Sequence, residues 1–364
     1  MSAGHRSARW LALAAAGGVG LLLLPFLLSP YALLTLSYAL VLSIACLGLN
    51  LLFGTTGLLS LGHAAYFGVG AYAGGFLYAF TPLTSLELYL LSGLLASLAL
   101  AAAVGFLCVR ATRIHFTILT LALAQVVHAL FIGGMAFRPF GGVGKGLFLL
   151  GGGGLYIPRF AILGHAFAPD TFIQALSWVV ILAFLGSAVA LWRIGRSPFG
   201  QALRAIRDNE TRAACIGIPV RRYRWYAFVL SGLFTGLAGG LHGQLSRQVT
   251  PEQLDWLFSA QLVLATVLGG TRLFAGPVLG AFAYVGLEDV ALRWVEHRSL
   301  VMGLALIGVV FLFPEGLAGR GVALLAGLRP RAGGLRGVQV GAEVPETRVG
   351  DDRDDGLARR GPPG

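Results

Sequence analysis

Charge is the first scarcity. Only 12% of the 364 residues are Asp, Glu, Lys or Arg, about half of the roughly 25% of a soluble domain, so a water-soluble globular class is excluded. Lysine is nearly absent: Lys145 stands alone, and every other basic residue is Arg. Cysteine occurs three times, at Cys46, Cys108 and Cys215, with no C-x-x-C or Cys/His spacing. That excludes a disulfide framework and a metal site, and each is expected to serve as a small buried hydrophobe. Paired carboxylates, a nucleophile with its base and a cluster of metal ligands are also missing, so no enzyme chemistry and no cofactor are expected. What is plentiful is apolar: 56% hydrophobic residues, 53 glycines and a mean hydropathy of +0.78. Glycine is common in membrane helices, where small residues let backbones approach. The expected fold class is an all-α polytopic membrane protein. The net charge of +11 lies between apolar spans and in the tail, which argues against a nucleic-acid partner and leaves membrane lipid as the surrounding medium.

About ten transmembrane helices are expected, some discontinuous. The first runs over residues 10–28 behind Arg6 and Arg9, without an A-x-A-type cleavage site, and reads as an uncleaved helix with a cytoplasmic N-terminus. The others fall at 31–53, 58–80, 86–109, 114–132, 171–192, 223–245, 256–270, 274–290 and 300–313. Most approach the roughly 20 residues that a bilayer needs. The last three are shorter, and 256–290 is interrupted by Gly269-Gly270 and Gly276-Pro277, as in helices that break to line a cavity. Residues 133–170 form a long Gly-rich loop expected outside. The count places Arg110 and Arg113, the basic loop 193–224 and both termini in the cytoplasm, in keeping with the positive-inside rule. Residues 1–319 thus form the membrane domain. Residues 320–364 form a largely disordered cytoplasmic tail, with little apolar content beyond residue 344.

The most helical polar stretch is 197–217. Ser197 can cap a helix that starts at Pro198, with Ala202, Leu203 and Ile206 on one face. Asp208 can cap a second short helix, and Gly217 suits a left-handed stop. Between Arg193 and Arg224 eight Arg face only Asp208 and Glu210, a net of +6. A loop that only sets topology needs no capped helix with an apolar face; such a face calls for a protein groove.

The run Ala202-Leu203-Arg204-Ala205-Ile206-Arg207-Asp208-Asn209-Glu210, followed by Gly217-Ile218 and Tyr223, closely resembles the cytoplasmic coupling loop of branched-chain amino-acid ABC permeases, in particular the M-type subunit of the Liv importer. The resemblance extends over roughly residues 47–317, through Leu268-Gly-Gly, Gly276-Pro-Val-Leu-Gly280 and Phe313-Pro-Glu-Gly-Leu317. It implies a permease subunit in the bacterial inner (plasma) membrane that is not itself an enzyme. Implied partners are two ATP-binding subunits, a homologous H-type permease subunit and an extracytoplasmic substrate-binding protein. Leu203, Arg204, Ile206, Arg207, Asp208, Asn209, Glu210 and Gly217 would be the coupling residues, with the Ala202, Leu203 and Ile206 face buried by the ATPase. Urea or a short amide is the alternative substrate class, and an ATP-independent carrier the rival mechanism. Against a carrier stands the lack of paired intramembrane acids.

Two stretches put polar groups inside apolar spans, where such groups are costly and face a bundle interior or water. Residues 50–70 carry Asn50, Thr55, Thr56, Gly57, Ser60, His63 and Tyr66. They resemble the family signature G-L-N-L…G-x-x-G-x-x-S-x-G-H and are expected to border an outer cavity on the substrate path. Residues 114–128 add Thr117, Thr120, Gln125 and His128; Thr120 and Gln125 are assigned to the path, and His128 to packing. Gly141-Gly-Val-Gly-Lys145-Gly-Leu147 fails the G-x-x-x-x-G-K-[ST] pattern of a phosphate loop. It resembles instead the family's outer T-G-G-x-[DN]-G-L loop, with Lys145 where the family carries Asp or Asn.

Overall fold

The computed structural model describes residues 17–18, 20–81, 84–111, 113–132, 149–150, 154–165, 167–294, 303–304, 308 and 316–319. The expected span at 300–313 therefore lies almost wholly outside the described residues, as do the Gly141–Leu147 stretch and the tail. Residues 20–27 are helical. The helices that follow with defined bounds among the described residues are α1 (Pro30–Thr56), α2 (His63–Phe80), α3 (Leu86–Cys108), α4 (Arg113–Ile132), α5 (Pro169–Arg196), α6 (Pro198–Asp208), α7 (Glu210–Cys215), α8 (Val220–Ser246), α9 (Trp256–Gly269) and α10 (Gly276–Trp294). Among the described residues, α1, α3, residues 114–132 and residues 171–196 are long and apolar enough to cross a membrane. The all-α membrane class holds. A small addition is an antiparallel sheet ordered β1-β2-β3, with β1 (Leu149–Leu150) and β2 (Gly154–Tyr156) in the expected Gly-rich loop and β3 (Gln248–Val249) just after α8.

The bundle is centred on α8, which packs against α1, α2 and α3. Close approach is achieved by glycine. A Cβ on Gly239 would collide with the carbonyl of Phe67, one on Gly70 with the carbonyl of Gly236, and one on Gly93 with the carbonyl of Gly70. These three helices therefore touch backbone to backbone, which multiplies short-range dispersion contacts in a setting without a hydrophobic driving force between helices. Trp225 Nε1 donates to the Ala102 carbonyl at 3.0 Å and ties α8 to α3.

Two expectations change. The glycines at 269 and 276 serve close packing at a tight turn between α9 and α10: Cβ atoms on Gly269 and Gly280 would strike backbone of the opposing helix, and one on Gly276 would strike the Gly270 carbonyl in the turn. Cys215 is exposed, whereas Cys46 and Cys108 are buried as expected. Cys46 donates its thiol proton to the Leu262 carbonyl at 3.7 Å.

Candidate functional site

The basic loop folds into the expected helical pair. Ser197 Oγ accepts from the Gly200 N–H at 3.4 Å, and Pro198 opens α6. The second cap lies one residue later than expected. Asp208 ends α6, and Asn209 Oδ1 accepts from the Arg212 N–H at 2.9 Å to start α7. Asn209 has the extended backbone (φ −157°, ψ 109°) that frees its side chain to cap. Gly217 adopts φ 88°. Its N–H reaches the Ala214 carbonyl at 3.0 Å and the Ile218 N–H reaches the Ala213 carbonyl at 3.1 Å, the paired bonds of a Schellman stop.

The apolar face of α6 is not left for a partner. Leu203 and Ile206 are 0% exposed within this one chain, because α6 lies against α1, α5 and α8; Ala202 is half-buried. Phe199 stacks on Tyr223 of α8 with centroids 5.5 Å apart, and Arg204 Nη2 donates to the Gly195 carbonyl at 2.8 Å. An amphipathic helix at the end of a bundle satisfies its apolar stripe on the nearest apolar surface, here the ends of its own spans. Solvent reaches Arg204, Arg207 and Asp208 at the end of α6, Asn209 and Glu210 at the start of α7, and Ile216, 70% exposed, just beyond α7.

Arg207 joins the two sequence-predicted sites. Its Nη1 donates to the Gly54 carbonyl, and its Cγ would lie 3.2 Å from a Cβ on Gly57. A cation at the C-terminus of α1 is favoured by the exposed carbonyls there. This also relocates the polar stretch. Expected at an outer cavity, residues 54–57 instead lie at the end of the bundle that carries the Arg-rich loop, because α1 stops at Thr56 with Gly57 at φ 72° and α6 packs on that terminus.

From Gly57 the chain runs unwound to Gly62 before α2 begins. Thr117 Oγ1 donates to the Leu59 carbonyl at 2.8 Å, and Thr120 Oγ1 accepts from the Leu61 N–H at 3.3 Å, so α4 holds this unwound segment. Thr55 and Thr56 donate back to the Leu51 and Leu52 carbonyls. Asn50 Oδ1 is buried without a partner among the described residues. His63 is fully buried. Ser231 Oγ donates to the Gly48 carbonyl at 2.6 Å, so it accepts from His63 Nε2 at 2.6 Å. His63 Nδ1 then accepts from Ser60 at 3.0 Å, and Ser60 accepts from the Gly62 N–H at 3.3 Å. The neutral imidazole thus bridges α1, α2 and α8, with Tyr66 edge-on at 5.7 Å. Ser231→Ala removes the acceptor of a buried N–H and should cost about 1–3 kcal/mol, read as a lowered unfolding temperature of the solubilised protein. An unchanged value would show that this bridge carries no stability.

Gln125 stands apart from the rest, roughly 18 Å along α4 from Arg113 at 1.5 Å per residue. Its Nε2 donates to Asp255 Oδ1 at 3.0 Å, its Oε1 meets His128 Nδ1 at 3.2 Å, and His128 lies 3.7 Å from Asp255. Sequence reasoning missed Asp255, Ser231 and Arg224. Arg224 is 5% exposed and holds Glu210 in a two-point ion pair at 2.8 and 2.6 Å. A polar residue inside or just ahead of an apolar run, as at Ser231 and Asp255, was the available signal. Metal-ligand clusters are absent among the described residues.

The described residues thus form a glycine-packed helical membrane bundle with a basic helical pair seated on one end. Residues 31–313 match the model of the branched-chain amino acid transport system permease component, and the chain belongs to that family. It is 26% identical over 284 residues to the high-affinity branched-chain amino acid transport system permease protein LivM of Escherichia coli (strain K12), covering 74% of this chain and 66% of the relative. The chain thus spans just under two thirds of that relative's length. It is 29% identical over 134 residues to a probable branched-chain amino acid transport permease protein LivH of Methanocaldococcus jannaschii (37% of this chain, 41% of the relative). It is 30% identical over 182 residues to the autoinducer 2 import system permease protein LsrC of Klebsiella pneumoniae (47% and 52%). No solved structure matches the chain.

Proposed function

We propose that this chain is the M-type permease subunit of an ABC importer that carries branched-chain, hydrophobic amino acids across the bacterial inner membrane. Residues 1–319 form the permease domain, with residues 193–224 as its cytoplasmic coupling loop and 320–364 as a cytoplasmic tail. Two ATP-binding subunits hydrolyse ATP, a homologous H-type permease completes the pathway, and an extracytoplasmic binding protein delivers the substrate. The family membership and the likeness to LivM support this reading.

The observation that carries the mechanism is the contact of Arg207 with Gly54 and Gly57. A partner that moves the outward face of the loop moves α6 as a body, because Leu203, Ile206 and Phe199 seat it on the spans. Arg207 then pulls on the C-terminus of α1, where helix gives way to the unwound residues 57–62. Asn50, Thr55, Thr56, Gly57 and Ser60 lie at this break, with His63, Tyr66 and Thr120 bracing it. Unwound backbone at membrane depth is tolerated where it is buried in protein or lines a cavity, and such a break can shift without unfolding a whole span. Gln125, with Asp255 and His128, contributes at a separate point on the path.

Arg207→Gln removes a hydrogen bond from a charged donor, worth about 1.5–3 kcal/mol, and should lower leucine taken up per ATP hydrolysed by about tenfold or more. Proteoliposomes holding the whole complex report both quantities. Gly186→Ala on α5, outside residues 193–224 and with nothing within 4 Å of the added methyl, should change neither. An unaltered ratio in Arg207→Gln would overturn the coupling route. The second reading, import of a solute of the autoinducer 2 type, is favoured by the likeness to LsrC. Competition of unlabelled leucine against each labelled solute separates the two.

A further inference from the structure

A cleft of ≈ 640 Å³ opens at the end of the bundle that carries the basic loop, between the α3–α4 turn and the start of α8. Arg110, Arg221 and Arg224 line it with His115 and Glu210, over an apolar wall of Val109, Ala111, Ile114 and Val220. Arg224 is buried and already bound through two oxygens to Glu210, which neutralises the one carboxylate present. Arg110 lies with Cζ 4.6 Å from the Phe106 ring centroid, a stacking that orients the guanidinium and leaves its N–H edge available. Arg221 is exposed and has neither a hydrogen bond nor an ion pair among the described residues. Three arginines against one carboxylate leave two positive charges uncompensated at the mouth.

From this charged mouth an apolar ridge runs away along α4. Ile114 is 75% exposed, and Ile118, Ala122 and Val126 follow at intervals of four on the exposed surface. Twelve residues of helix rise about 18 Å, close to the roughly 15 Å of one leaflet's hydrocarbon. A soluble anion would use the arginines alone. A phospholipid uses both features, with phosphate oxygens on the guanidinium edges and an acyl chain along the ridge.

We propose that this cleft is a binding site for the phosphate headgroup of an anionic phospholipid, held by Arg110 and Arg221, with one acyl chain along Ile114, Ile118 and Val126. The site lies beside the Glu210–Arg224 pair, so an occupied headgroup braces the α7–α8 junction against the α3–α4 turn.

The test is native mass spectrometry of the full-length chain titrated with phosphatidylglycerol, phosphatidylcholine or inorganic phosphate. Near a membrane surface each arginine contributes about 1 kcal/mol to binding an anionic lipid, about fivefold in affinity. The double variant Arg110→Gln/Arg221→Gln should therefore lose about 30-fold for phosphatidylglycerol, and Arg221→Gln alone about fivefold. Both side chains are exposed, so unfolding temperatures should stay level, and Arg222→Gln, outside the cleft, should bind as the parent does. Equal retention of phosphatidylcholine, or undiminished phosphatidylglycerol binding in the double variant, would overturn the site. Displacement of the lipid by inorganic phosphate at similar concentration would overturn the phospholipid assignment in favour of a free anion.

Discussion

Leu203→Asp and Ile206→Asp will deplete folded permease from the membrane even in cells that contain no ATPase partner. Both side chains are fully buried against this chain's own helices. Deleting such a side chain costs about 2–5 kcal/mol, and an ionised carboxylate in its place adds several kcal/mol more in effective desolvation. The sum rivals the whole stability of an ordinary domain, about 5–15 kcal/mol. Ile216→Asp provides the contrast, because Ile216 projects into solvent. That variant should fold normally and instead lose ATPase during co-purification. Size-exclusion profiles of a fluorescent fusion, with and without the partner subunits, separate these outcomes. A monodisperse Leu203→Asp peak of parental height would show that α6 is seated on something other than its own chain.

Gly239→Leu and Gly70→Val will also be strongly destabilising, by an opposite cause. Each adds volume where two backbones already touch, at the Phe67 carbonyl for Gly239 and at the Gly236 carbonyl for Gly70. Backbone cannot swing aside as a side chain can, so α2 and α8 must separate along their length. Overpacking of ordinary cores costs about 1–3 kcal/mol; here the expected loss is at or beyond the top of that range, because the wedge forces apart a whole helix pair. Gly186→Ala on α5 meets nothing within 4 Å. It should be neutral or gain about 0.5–1 kcal/mol, since alanine is the better helix former. Thermal unfolding of the three purified variants checks the order. Equal midpoints for Gly239→Leu and Gly186→Ala would refute the close packing of α2 on α8.

The features that could be read from the chain alone are those caused within a few residues. Ser197-Pro198 starts a helix because a hydroxyl and a missing N–H suit the first turn, and Gly217 ends one because a left-handed residue suits glycine. Even here the second cap was expected at Asp208 and falls at Asn209, since either side chain can accept from the N–H of N2 or N3. Long apolar runs announced α1, α3, α4 and α5 for an equally local reason. The resemblance of residues 202–210 to a coupling loop led to the family that the match over residues 31–313 establishes.

Which surface covers an apolar stripe is a different kind of question. The spacing of Leu203 and Ile206 says that they share a face, and nothing in the spacing says whether that face meets another protein or the ends of α1, α5 and α8. The same holds for His63, whose two nitrogens find Ser60 three residues away and Ser231 on a helix 168 residues away, and for Glu210, held by Arg224. It holds for the end of the bundle at which residues 54–57 lie, set by Arg207 reaching the Gly54 carbonyl. The sequence by itself determined the membrane class, the long helices, the caps and the family, because hydropathy and backbone preference act over one to five turns. Only the tertiary structure decided the partners of the buried polar groups and the seat of α6, because each depends on which distant backbone approaches closely enough to bond, and here glycine contacts between helices set that approach.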